Sequence, residues 1–65
     1  MENVTEIVID QLNDFLTPNE HLKESVQVFK TEYYYLVYDD TRHVFATDSP
    51  TKLINYLFNN YKVVI

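Results

Sequence analysis

The order of apolar and polar positions along the chain changes period several times. Val4, Ile7, Val8, Leu12, Phe15 and Leu16 recur at spacings of three and four, which predicts an amphipathic helix over residues 3–16. Asn3 followed by Glu6 has the form of a capping box, with Asn in the first place. Pro18 ends the pattern, because a residue before proline is pushed out of the helical region. Thr17-Pro18-Asn19-Glu20 carries a helix-start signature of its own, so a short helical turn is expected over 18–24. Between Ser25 and Thr31 two periods compete. Leu22, Val26 and Phe29 fit a helix. Val26 and Val28 alternate, and the β preference of Val-Gln-Val-Phe favours a strand.

Tyr33 to Asp39 is almost wholly aromatic and β-branched and reads as a strand. Asp39-Asp40-Thr41-Arg42 forms the turn, and His43 to Thr47 returns as its partner. Asp48 or Ser49 caps a second helix that begins at Pro50. Leu53, Ile54, Leu57, Phe58 and Tyr61 form its buried stripe, and Asn59 and Asn60 stop it. Lys62 to Ile65 reads as a last strand, expected parallel to 43–47 through a right-handed crossover. The pattern gives one α+β domain over residues 1–65. It consists of an N-terminal helix, an antiparallel meander of two to three strands, a second helix and a short C-terminal strand. Both helices are expected on one face of the sheet.

Composition narrows the chemistry. With no glycine, the Gly-rich phosphate loops, the dinucleotide fingerprint and the usual calcium loop are excluded. Every sharp reversal must be made by Asp39, Asp40, Asn59 or Asn60, or by proline-initiated helices at Pro18 and Pro50. With no cysteine, neither a disulfide nor a thiolate zinc site is available to reinforce a thin core. Asp39, Asp40, His43 and Asp48 cluster about one turn, but their spacing matches no metal-binding loop. His21 and His43 accompany no nucleophile motif. Neither an enzyme nor a cofactor or metal site is expected. The start has no basic region followed by an apolar run, and the longest apolar or aromatic run, Tyr33 to Tyr38, is far short of a membrane span. A soluble cytoplasmic protein is expected.

Charge points to partners. The formal net charge is −5, and no Lys or Arg precedes Lys23. Glu2, Glu6, Asp10 and Asp14 recur every fourth residue and make one acidic band on the expected first helix. Such a band either is a solvated face or docks on a basic groove as a partial nucleic-acid mimic. Like charges at this spacing cost about 0.2–0.5 kcal/mol per pair, which a plain solvated face would avoid by mixing in lysines. Along the tyrosine strand, Tyr33 and Tyr35 point to one face and Tyr34 and Tyr38 to the other. The strand is therefore either a central one whose phenol tips reach solvent at the sheet edge or an interface with another copy or a target. Direct nucleic-acid or lipid binding is disfavoured by the negative charge.

The chain is very short, acidic, rich in Asn and Tyr and free of Gly and Cys. In this general character, and over its whole length, it resembles the small inhibitory proteins of bacteriophages and mobile elements, anti-CRISPR proteins among them. The resemblance is one of style and transfers no residues. It implies a non-enzymatic protein-binding module in a bacterial host cytoplasm. Such a module would inhibit or regulate a basic, nucleic-acid-handling partner through Glu2, Glu6, Asp10, Asp14, Tyr33, Tyr34, Tyr35 and Tyr38. The alternative is a small structural or accessory subunit that assembles with itself, as a homodimer for example, through its tyrosine-rich strand.

Overall fold

The computed structural model describes residues 1–64, with side chains through Lys62. In chain order the elements are β1 (Glu2–Asn3), α1 (Thr5–Leu12), β2 (Glu20–Leu22), β3 (Val26–Lys30), β4 (Tyr35–Asp39), β5 (Arg42–Thr47), α2 (Pro50–Tyr61) and β6 (Lys62–Val64). Four strands form an antiparallel sheet in the order β1-β3-β4-β5. β2 and β6 pair separately, also antiparallel. Both helices pack on one face of the larger sheet, because Val8 and Leu12 of α1 share a core with Leu53, Ile54 and Leu57 of α2 and with Val26, Val28 and Val37 of the strands.

The expected first helix is shortened at both ends. Glu2 and Asn3 are drawn into β1, opposite Lys30 and Phe29. Val4, not Asn3, stands at the N-cap of α1, and no side chain caps it. Asn3 Oδ1 instead accepts the Thr5 N–H (3.0 Å) in a local turn, and the expected box is not made. At the other end Asp14 has left the helix, with its N–H on the Gln11 carbonyl at 3.4 Å. Eight residues make only about two turns, roughly 12 Å. Val4, Val8 and Leu12 therefore reach the core, whereas Ile7 and Phe15 stay 58% and 63% exposed.

Thr5 ties the helix start to the sheet. Its hydroxyl accepts the Val28 N–H (2.8 Å) and donates to Asn3 Oδ1 (2.7 Å), while the Val4 N–H bonds the Val28 carbonyl (2.9 Å). These bonds extend the edge of β3 beyond the short β1. Thr5→Val keeps the shape but leaves the Val28 N–H without a partner, at an expected cost of about 1–3 kcal/mol. Thr5→Ser keeps the hydroxyl and is expected to recover most of that loss. Urea unfolding of the two variants separates the hydrogen bond from packing.

The segment 18–24 is not helical. Pro18 and Asn19 form a reverse turn closed by the Glu20 N–H on the Thr17 carbonyl (3.0 Å), after which Glu20–Leu22 enters β2. The Thr17–Glu20 box is half made, since Glu20 Oε2 accepts the Thr17 N–H (3.0 Å) while Oε1 pairs with Lys62 Nζ (3.3 Å). The Thr17 N–H first, and then Lys62, hold the Glu20 carboxyl below its ordinary value against an opposing effect of burial. The ambiguous segment is strand, as favoured, over Val26–Lys30. β4 begins at Tyr35 rather than Tyr33, because Thr31 and Tyr34 close a turn between themselves. Asp40 is the one residue of the described chain with positive φ (64°), so Asp does take the place of glycine at the hairpin.

Ser49, not Asp48, caps α2, its hydroxyl accepting the Lys52 N–H (3.3 Å). Asn59 and Asn60 do not stop the helix. The Asn60 amide donates to the Tyr56 carbonyl (2.9 Å) inside α2, and the chain leaves through an extended Lys62. The last strand does not run parallel to β5. It pairs antiparallel with β2, Leu22 opposite Lys62. The crossover rule governs strands of one sheet, and this strand joins another. Ile65, which closed the expected strand, lies outside the described residues.

Candidate functional site: two opposed surfaces

Strand alternation sorts the sheet residues into two faces. Val26, Val28, Tyr35, Val37, Phe45 and Thr47 face the helices. Gln27, Phe29, Leu36, Tyr38, His43 and Ala46 face away from them. A bulge between Val37 and Tyr38 lets Phe45 stay opposite Val37 while His43 lies opposite Tyr38. On the outer face Phe29 meets Tyr38 edge-on at 5.5 Å, and Tyr38 lies 5.3 Å from His43. His43 Nε2 bonds the Phe45 carbonyl (3.0 Å) on its own strand. Among the described residues, Phe29, Leu36 and Tyr38 lie outside the core that the helices cover, and each is partly exposed.

The tyrosines proposed from sequence therefore divide. Tyr35 packs against the core beneath the helices, with Lys30 Nζ 5.6 Å from its ring centre. Tyr38 lies on the open face. Tyr33 and Tyr34 sit in the turn before β4, 73% and 51% exposed.

The acids proposed from sequence divide as well. Only Glu6 and Asp10 lie on α1. Glu2 stands on β1 opposite Lys30, and Asp14 follows the helix. All four are exposed. Glu6 and Asp10 each fall two residues from the buried Val8, about 160° around the helix, so they project away from the core. The outward face of α1 and the outer sheet face thus lie on opposite sides of the molecule. A single flat partner surface cannot cover both.

Elsewhere two of the five cations are held in ion pairs. Lys23 pairs with Asp39 (3.6 Å) and Lys62 with Glu20, and Lys62 also lies 4.3 Å from the centre of the Phe58 ring. Among the described residues, neither ion pair involves Glu6, Asp10 or Asp14. Asp14 and Phe15 line an open groove with Gln11, Pro50, Thr51 and Ile54, which sets an exposed ring beside a free carboxylate.

One polar cluster lies at the end of the sheet, where β3 begins and β4 ends. Asp39 accepts the Ser25 hydroxyl (2.8 Å) and pairs with Lys23, near Arg42 and Tyr61. The Ser25 proton is committed to a carboxylate already held by a lysine, so the group staples the ends of β3 and β4. Tyr61 lies beside Tyr56, their hydroxyls 3.5 Å apart, and Tyr56 stacks on Phe45 with centroids at 4.0 Å. Burial first, then the Tyr56 hydroxyl and the Asp39 charge, push Tyr61 up to about 12. An unfolded tyrosine ionises near 10. The unfolded chain therefore releases this proton first, and stability is lost as pH rises from about 10 to about 12. Tyr61→Phe is expected to flatten that loss, measured as urea midpoint against pH. An equal alkaline loss in the variant would assign it to other groups.

Among the described residues no three His, Asp or Glu side chains come together in a metal-binding group, and no helix is long and apolar enough to cross a membrane. The open aromatic face was half legible, because alternation separates Leu36 and Tyr38 from Tyr35 and Val37. Phe29, His43 and Ala46 were missed as its members, since only the register across three strands brings them together. No protein-family model matches the sequence, and neither a curated protein nor a solved structure is similar to it.

Proposed function

We infer that this chain is a non-enzymatic protein-binding module that docks its α1 side on a basic protein surface and so inhibits or regulates a nucleic-acid-handling partner. The observation that carries this reading is the exposure of Glu6 and Asp10 on the outward face of α1 and of Asp14 just beyond its end, all outside both ion pairs, in a chain that ties Lys23 and Lys62 to other acids. Exposed Ile7 and Phe15 lie among these acids and supply apolar anchors. A cationic surface that holds a phosphate backbone would accept such a row of carboxylates. A host nuclease, RNA-guided or otherwise, is the sharpest form of the partner. The test is affinity capture from a bacterial lysate with and without nuclease treatment. Retention of a basic protein after nuclease treatment supports the reading. Retention of nucleic acid by the purified chain would replace it with direct nucleic-acid binding.

A further inference from the structure

We propose that the open sheet face joins two copies of this chain in a face-to-face dimer. The argument starts from charge. Gln27, Phe29, Leu36, Tyr38, His43 and Ala46 include no carboxylate, lysine or arginine, in a chain of which 23% is Asp, Glu, Lys or Arg. The strand charges Glu2, Lys30, Asp39 and Arg42 fall in register with the helix-side residues.

A two-fold contact sets a surface against itself, so a face of one sign meets that sign again. The acidic α1 side cannot associate in this way. The sheet face can, and contact there sends the α1 acids of the two copies to opposite ends of the dimer, where their repulsion is smallest. The face also lacks the cations needed to track a phosphate backbone.

Area and order agree with a second copy. Three strands of five or six residues and the two-residue β1 give a plan area of roughly 250–300 Å² at ordinary strand spacing and rise. Two such faces bury about 500–600 Å² of plan area, below the size of a standard specific interface and in the range of weak, transient contacts. The contact is therefore a reversible dimer of sheets stacked about 10 Å apart. Phe29, Tyr38 and His43 already rest on one another, so little side-chain freedom remains to be lost.

Sedimentation equilibrium from about 1 µM to about 1 mM tests this. The native chain is expected to rise from 7.8 kDa towards twice that mass. The exposed outer-face pair Gln27→Glu/Ala46→Glu is expected to stay at 7.8 kDa with an unchanged circular dichroism spectrum. Glu6→Gln/Asp10→Asn, on the far side, is expected to associate as the native chain does. A native mass fixed at 7.8 kDa throughout the range overturns the proposal, as does association of the outer-face variant equal to the native.

Discussion

Leu57→Ala is expected to leave this chain largely unfolded at 25 °C. Leu57 is fully buried and shares its core with Leu12, Leu53, Val28 and Val37, so the truncation opens a cavity where both helices meet the sheet. Leu→Ala at such sites costs about 2–5 kcal/mol. A single core in a chain of this size rarely supplies more than about 3–5 kcal/mol, and no disulfide adds to it. Phe15→Ala is the matched control, because Phe15 is 63% exposed and its loss is expected to change stability by no more than about 0.5 kcal/mol. Far-UV circular dichroism with urea titration reads both. A Leu57→Ala variant that melts cooperatively at the native midpoint would show that the core lies elsewhere.

Neutralising Glu6, Asp10 and Asp14 together is expected to weaken binding to the basic partner roughly ten- to a hundredfold, at about 0.5–1 kcal/mol for each exposed charge pair lost. The same change is expected to stabilise the free chain. Glu6 and Asp10 repel at i, i+4, at a cost of about 0.2–0.5 kcal/mol. Asp14 stands just past the carboxyl end of α1, where a negative charge is disfavoured by about 0.3–1 kcal/mol. Opposite signs in binding and stability mark residues kept for a partner rather than for the fold. A solvated face would give the gain in stability with no loss of binding.

What could be read from sequence follows from the range of the forces involved. Asp40 was legible because a hairpin reversal needs a positive φ, and without glycine Asp is among the few residues that tolerate it. The strand at Val26–Lys30 was legible only as the favoured of two competing periods, through the β preference of Val-Gln-Val-Phe. The start of α1 was not, because Asn3 is recruited by a strand more than twenty residues away, and the Thr5–Val28 bonds that fix the boundary are likewise long-range. Thr17 to Glu20 made half of its capping box and still turned into a strand, since β6 offers Glu20–Leu22 a partner. In the same way, Asn59 and Asn60 stay helical until Lys62 meets β2. The candidate residues were legible as types, acids at every fourth position and rings on a strand. Their separation onto opposed surfaces was not, because it depends on how α1 lies across the sheet.

The most direct test of the central claim, that the α1 acids carry partner binding, is the affinity of the captured basic protein for the native chain and for Glu6→Gln/Asp10→Asn/Asp14→Asn as salt is raised from about 50 mM to about 500 mM. The native affinity is expected to fall at least tenfold over that range, and the variant is expected to start weaker and change little. A native affinity insensitive to salt and matched by the variant would contradict the claim.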